Sequence, residues 1–307
     1  MLDIFNIPSN TDSTKIFYAQ GATTWQTWNK PRGAKMIQIF CLGSGGSGAI
    51  GAAALNGSRS GGGGGGSGAI TRAVIPAFLL PDILYIQVGL GGAALNQTST
   101  TAIAGNVGAH SYISLAPSTA ASTVVVASST VVASGGTGNG SNAAGGTVFT
   151  SGSGVFSALS IFTTIAGVFG NGFTTQPTPG TNQAALGSSI VTGGTAGGPT
   201  QTTPPGNGYA GGSITSASVI LTSTVAGGTG ISTAGIYAPA GDNGYTIMNP
   251  FCSTGGAGGG GNGAGTGGWG GDGGLGSGGG GGGGGGQNGL RRSGKGGDGL
   301  VIITTIT

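Results

Sequence analysis

Nine consecutive glycines, Gly278 to Gly286, constrain this chain more than any other feature, and a second unbroken run spans Gly61 to Gly66. Glycine loses more backbone freedom on folding than any other residue, and ordering each residue costs about 1–2 kcal/mol. A folded chain keeps such runs where the missing Cβ lets something come close. Extended left-handed segments with three residues per turn satisfy none of their own hydrogen bonds. Without side chains, several of them can lie side by side and bond amide to carbonyl. Collagen places glycine at one residue in three because one residue per turn faces its axis. A segment packed on several sides needs glycine at two or three positions per turn. There is no sustained Gly-X-Y period here and only 12 prolines, which excludes collagen itself.

A flexible linker or a disordered chain is the competing reading of so much glycine. Disordered chains combine low hydrophobicity with high net charge. Here Gly supplies 76 of 307 residues, yet charged residues are only 5% and the net charge is +3. Mean hydropathy is positive. Such a chain is poorly solvated when open, so burial of its backbone is expected. Lys and Arg are scattered apart from Arg291, Arg292 and Lys295, short of the basic stripe that nucleic-acid binding needs. No apolar run approaches the roughly 18 residues of a membrane span, and MLDIFNIPSN lacks the basic-then-apolar pattern of a secretory signal. Cys41 and Cys252 are too few for a disulfide framework or a zinc site, and read as two small core-filling thiols, with one bridge between them as the alternative.

The apolar residues fall into short runs that border the glycine. Lys35–Leu42 reads as a buried strand that breaks into Gly43–Gly48. Gly61–Gly66 leads into a strand at Ala69–Ile75, and Leu84–Val88 reads as a strand that ends at Gly89. From 93 to 254 glycine thins, with candidate strands at Tyr112–Leu115, Thr123–Ala127, Val131–Ala133, Val148–Thr150, Ile190–Thr192 and Val219–Val225. From 255 to 289 glycine dominates, and Leu300–Ile306 closes the chain as a strand. No segment carries helix caps with a 3.6-residue apolar stripe. The expectation is one glycine-rich domain over 1–307, all-β with irregular structure and essentially no α-helix. Its parts are a β-rich 1–92, a Ser/Thr/Ala-rich 93–254 and a polyglycine tract with closing strand over 255–307. A small β-rich base would carry packed polyglycine-II-type helices as a glycine-rich sandwich, with both termini on one side.

Trp25, Trp28, Pro31, Gly33, the strand 35–42 and Gly43–Gly48 form one ordered set of motifs. Gly61–Gly66, Ile86-Gln87-Val88-Gly89-Leu90-Gly91-Gly92 and Gly296-Gly297-Asp298-Gly299-Leu300-Val301-Ile302-Ile303 continue it. This order resembles the glycine-rich domain family of tailed-phage virion proteins, including tail-fibre and adhesin-like members. The resemblance implies a virion structural protein, assembled in the host cytoplasm, whose partners are other virion proteins. Its first form is a tail-tip or fibre component engaged in host-surface recognition through a glycan or an outer-surface protein. The alternative is a capsid decoration or minor capsid protein that stabilises the particle, and a cellular surface filament protein ranks third. Multiple copies or a homo-oligomer in the particle are expected. The chain departs from the adhesins in having no evident fibre-attachment domain or self-cleaving segment.

Motifs that suggest chemistry have plainer readings. Gly289-Leu290-Arg291-Arg292-Ser293-Gly294-Lys295-Gly296 lacks the Ser or Thr after Lys, and the flanking strand and helix, of a phosphate-binding loop; it reads as a solvated basic turn. Gly267–Leu275 resembles a single calcium-binding nonapeptide, but those repeats act in tandem, and a packed Trp269 at a bend is the reading adopted. His110 is the only histidine and there is no Glu, so positioned acid–base pairs have little to draw on. No catalytic, cofactor or metal residue is assigned, and a non-enzyme is expected. The candidates for receptor or partner contact are the aromatics Phe156, Phe162, Phe169, Phe173, Tyr209, Tyr237, Tyr245 and Trp269, since exposed rings supply contact area at low entropic cost.

Overall fold

A computed structural model describes residues 13–53, 59–128, 161–172, 178–185, 189–201, 206–215, 223–287 and 289–307. The fold is all-β, with several antiparallel sheets and no barrel. Fifteen strands occur among the described residues. They are β1 (Ser13–Tyr18), β2 (Gln26–Asn29), β3 (Met36–Leu42), β4 (Ile70–Pro76), β5 (Ile83–Gln87), β6 (Asn96–Gln97), β7 (Ser111–Ser114) and β8 (Val124–Ser128). They continue with β9 (Phe162–Ile165), β10 (Gln183–Ala184), β11 (Ile214–Thr215), β12 (Thr246–Met248), β13 (Phe251–Ser253), β14 (Arg291–Arg292) and β15 (Leu300–Ile306). A single-turn 3-10 helix covers Ala77–Leu79.

Two sheets form the base. The first has the order β1-β15-β3-β4-β9 and the second β2-β5-β7-β8. Alternation along each strand sends one set of side chains between the sheets. Ile37, Ile39 and Cys41 of β3, Ile75 of β4, and Val301 and Ile303 of β15 meet Trp28, Leu84, Ile86, Ile113 and Val125 from the second sheet. Each fully buried Ile or Leu contributes about 1.5–3 kcal/mol relative to exposure, so this sandwich is the hydrophobic anchor of the molecule. Cys41 and Cys252 are both buried and not joined in a disulfide, and the Cys41 thiol donates to the Ser111 carbonyl at 3.7 Å.

At one end of the sandwich the strands run into glycine without a slip in register. Leu42 pairs with Ile70, and beyond it Gly43, Gly46, Ala49 and Ala52 donate to Ala69, Gly66, Gly63 and Ser60. Leu42 also pairs with Leu300, and Gly45 and Gly48 then donate to Gly297 and Gly294. What changes is the period. A strand addresses its neighbours with every second residue, whereas here every third residue turns to the same partner. Ser44, Ser47, Ile50 and Ala53 thus all bond to a third segment, at Ala109, Asn106, Ile103 and Thr100.

The number of neighbours explains where glycine is obligatory. Segment 276–286 donates to 192–198, 46–52 and 268–271, and accepts from 62–68, 256–262 and 294–297, six neighbours in all. All three positions of each three-residue repeat therefore face backbone. A Cβ built at any of Gly278 to Gly283 would stand under 3.0 Å from atoms of an adjacent segment. Segment 254–263 also has six neighbours and reads TGGAGGGGNG. Segments at the rim have fewer, and admit side chains at every third residue. In 291–298, Arg292, Lys295 and Asp298 are half-buried while the residues between them are buried.

Serine and threonine complete this bonding. Ser44 and Ser47 Oγ accept the N–H groups of Ala109 and Asn106. Thr192 and Thr195 Oγ1 accept those of Gly255 and Gly258, again three residues apart. An unpaired buried N–H costs about 1–3 kcal/mol, so a hydroxyl at the right position replaces a carbonyl that a neighbour does not supply. Asn262 does the same at a bend, accepting from Ala264 and Gly265 and donating to the Thr233 and Ile236 carbonyls.

Several strands differ from expectation. Ile190–Thr192 is not a strand, because Thr192 and Thr195 turn to the glycine segments with three-residue spacing; Val191 makes an isolated bridge to Ser253. β1, β2 and β9 carry no strong apolar run in sequence and form by pairing with β15, β5 and β4. Val131–Ala133, Val148–Thr150 and most of Val219–Val225 lie outside the described residues. The basic stretch at 291–292 is no solvated turn. It is strand β14, paired with β6, and Arg291 is fully buried with its guanidinium Nη1 donating to the Gly51 carbonyl.

Candidate binding surface

The three-residue period places side chains in rows on the rim of the glycine array. Segment 266–274 has four neighbours and one open flank. It runs parallel to 238–244, whose Ala238, Gly241 and Gly244 donate to Thr266, Trp269 and Asp272. It also runs parallel to 292–295, since Gly270 and Gly273 donate to Arg292 and Lys295. Tyr237, Ala240 and Asn243 thus form one row, Thr266, Trp269 and Asp272 the next, and Arg292, Lys295 and Asp298 a third.

Trp269 and Tyr237 meet across the first two rows. Their ring centroids are 6.3 Å apart at 76°, an edge-to-face arrangement that favours aromatic pairs. The indole N–H of Trp269 donates to the Leu290 carbonyl at 3.3 Å, yet the residue keeps 38% of its surface exposed. The expected packed Trp at a bend is therefore corrected. Residue 269 lies within a straight array segment that leaves its outer flank open.

Beside this ring lies a cleft of about 340 Å³ lined by Ala240, Gly241, Asp242, Asn243, Trp269, Gly270, Asp272 and Arg292. Its polar groups are held in place. Asp242 Oδ2 accepts the Ala226 N–H at 3.2 Å, and Asn243 Oδ1 accepts the Asp272 N–H at 2.8 Å. Asp272 Oδ1 accepts the Lys295 N–H at 2.7 Å and faces Arg292 Nη2 at 3.8 Å. That ion pair is half-exposed and worth little in stability. Among the described residues no three His, Cys, Asp or Glu side chains come together to hold a metal.

The other predicted aromatics do not join this group. Phe162 lies in β9 and packs half-buried against the sandwich core. Tyr245 is half-buried beside a small core of Ala185, Ile214, Val225, Cys252 and Ala257, with its hydroxyl donating to the Ser223 carbonyl. Burial, followed by the neighbouring Cys252 thiol, pushes its phenol above the usual range. Tyr209 is half-buried, with its hydroxyl 3.5 Å from Gln201 Oε1. Phe169 is exposed on a separate flank, and Phe156 and Phe173 lie outside the described residues. Asp242, Asn243 and Arg292 were missed by sequence reasoning. No linear motif links 242, 269 and 292, which only parallel three-residue register brings level.

Two further clefts lie on the base. One of about 400 Å³ sits at the end away from the array, where Lys30 Nζ donates to the Ala77 and Leu80 carbonyls and pairs with Asp82 beside the exposed Phe78. The other, about 470 Å³, lies on the outer face of the five-stranded sheet, where Arg72 stands over Phe40 and Phe40 meets Phe251.

A family model described as a glycine-rich domain matches residues 20–305. No curated protein matches the chain.

Proposed function

This chain belongs to the glycine-rich domain family, and from that premise we propose that it is a non-enzymatic structural protein of a tailed-phage virion, seated at the tail tip or fibre. In this reading the sandwich mounts the protein and the glycine array presents the host-contact surface. The observation that carries it is polarity. Ser13 pairs with Thr305 at one end of the five-stranded sheet, while Leu42, Ile70 and Leu300 feed the array at the other. Polypeptide entering and leaving at the mounting end keeps the far end free. The three-residue bonding supports reading the array segments as polyglycine-II-type helices, which have no internal bonds and stiffen only by lateral packing. A surface built so holds its rim side chains without long flexible loops.

A capsid-decoration role is the second reading, and one observation favours it. The outer face of the five-stranded sheet exposes Ile16, Tyr18, Val74 and Ile306, a broad surface suited to lying on a shell. Gold-labelled antibody against the purified chain, imaged on virions of the phage that encodes it, separates the two. Label at the tail tip supports the first reading, label spread over the head supports the second, and unlabelled particles overturn both.

A further inference from the structure

We propose that the cleft beside Trp269 is a saccharide site that takes one hexopyranose unit of a surface glycan. The ligand's source rests on the host-contact reading above; the ligand's chemistry rests on the cleft alone. A pyranose ring presents an apolar C–H face and a rim of hydroxyls. It is recognised by an aromatic side chain flanked by paired donors and acceptors. Trp269 supplies the ring, Asp242 and Asp272 supply acceptors, and Arg292 and Asn243 supply donors around the same cleft. The volume of about 340 Å³ lies at the small end of the usual range for ligand clefts, about 300–1,000 Å³.

Competing ligand classes fit less well. Two carboxylates against one lining guanidinium repel a phosphate or other anion. A cation finds two carboxylates but no third His, Cys, Asp or Glu among the described residues, and the Asn243 amide oxygen already accepts the Asp272 N–H. An apolar peptide anchor would leave the remaining hydrogen-bonding capacity of Asp242, Asn243, Asp272 and Arg292 unmatched.

The cleft is also rigid before binding, which lowers the ordering cost of association. Trp269 is fixed by Tyr237 and by the Leu290 carbonyl. Asn243 is oriented by the Asp272 N–H, which leaves Nδ2 as its free donor. Asp242 and Asp272 are anchored by the backbone of Ala226 and Lys295. The supporting walls are Gly241 and Gly270, where a ligand meets backbone rather than mobile side chains. The remaining exposed aromatic in the described array, Phe169, has no such company and serves as the control.

The test uses the full chain on a panel of immobilised hexose and N-acetylhexosamine oligosaccharides, with thermal melting of each variant as a folding check. The wild-type chain is expected to bind at least one member. Asp242→Ala and Trp269→Ala should each weaken that binding about tenfold or more, the loss of roughly one strong polar contact or one stacked ring. Trp269→Phe should retain part of it, and Phe169→Ala all of it. Should Trp269→Ala not fold, exposed Asp242→Ala carries the same prediction. Absence of binding across the panel, or binding untouched by both substitutions, overturns the proposal. Blocking of host adsorption by purified chain is measured in parallel. Adsorption blocked without any saccharide bound sinks the saccharide site and leaves host contact standing. Saccharide bound without any effect on adsorption does the reverse.

Discussion

Replacing Gly281 by Ala tests whether the array depends on absent Cβ atoms rather than on glycine's flexibility. The new Cβ would overlap the Gly62 carbonyl and press on the Gly197 N–H. That carbonyl already accepts the Gly197 N–H at 2.9 Å, while the Gly62 N–H donates to Gly282 at 2.7 Å and Gly281 itself donates to Thr195 at 2.8 Å. Relief requires three segments to part, and those three bonds stretch first. Each buried group left unsatisfied costs about 1–3 kcal/mol, so the loss is about 3–9 kcal/mol, offset by the roughly 0.4–1 kcal/mol that Ala removes from unfolded-chain entropy. Against a typical domain stability of about 5–15 kcal/mol, the array should open. Gly33→Ala is the contrast. It sits at φ +80° with nothing within 4 Å of a new Cβ, and should cost only the left-handed penalty of about 1–2 kcal/mol. Gly284→Ala, whose Cβ would meet its nearest atom at 3.0 Å, should fall between. Equilibrium denaturation gives the magnitudes. Hydrogen exchange gives the location, with faster exchange expected across 60–68, 192–198 and 276–286 and little change in β3 and β5. Equal losses for Gly281→Ala and Gly33→Ala would refute the reasoning.

Two further outcomes follow from the same structure. Ser47→Ala should leave the Asn106 N–H without its acceptor, at about 1–3 kcal/mol, and raise exchange at that amide while β7 stays protected. Burial lowers the His110 imidazole below its ordinary 6.5, so the folded chain binds fewer protons there than the unfolded one. Stability should therefore decline as pH falls from 6.5 toward the lowered folded value. Because His110 is the only histidine, the difference in melting temperature between pH 7 and pH 5 should shrink in His110→Asn.

How much was legible in sequence depends on the range of the interaction. The tract 278–286 announced a backbone packed on every side, and it proved to have six neighbours. The apolar runs at 35–42, 69–75 and 300–306 announced the strands that border glycine, observed at 36–42, 70–76 and 300–306, because alternation and glycine boundaries are local signals. Likewise the scarcity of charge announced a buried backbone. The weaker strands β1, β2 and β9 were not legible, since their residues gain strand geometry only from partners far along the chain. Arg291 was misread for the same reason. A local view sees a basic turn, while the segment 291–299 is threaded among four neighbours that bury every residue except those at each third position.

The candidate cleft marks the boundary most clearly. Composition alone determined that this chain would pack glycine backbone against glycine backbone and that side chains would survive only where a flank was open. Which flank, and with which companions, was decided by register. Asp242, Trp269 and Arg292 come level because the sandwich strands hand their pairing to the array without a slip, and parallel neighbours then bond at every third residue in step. A glycine tract carries no side chains with which to specify its own register, so that information had to come from the folded base.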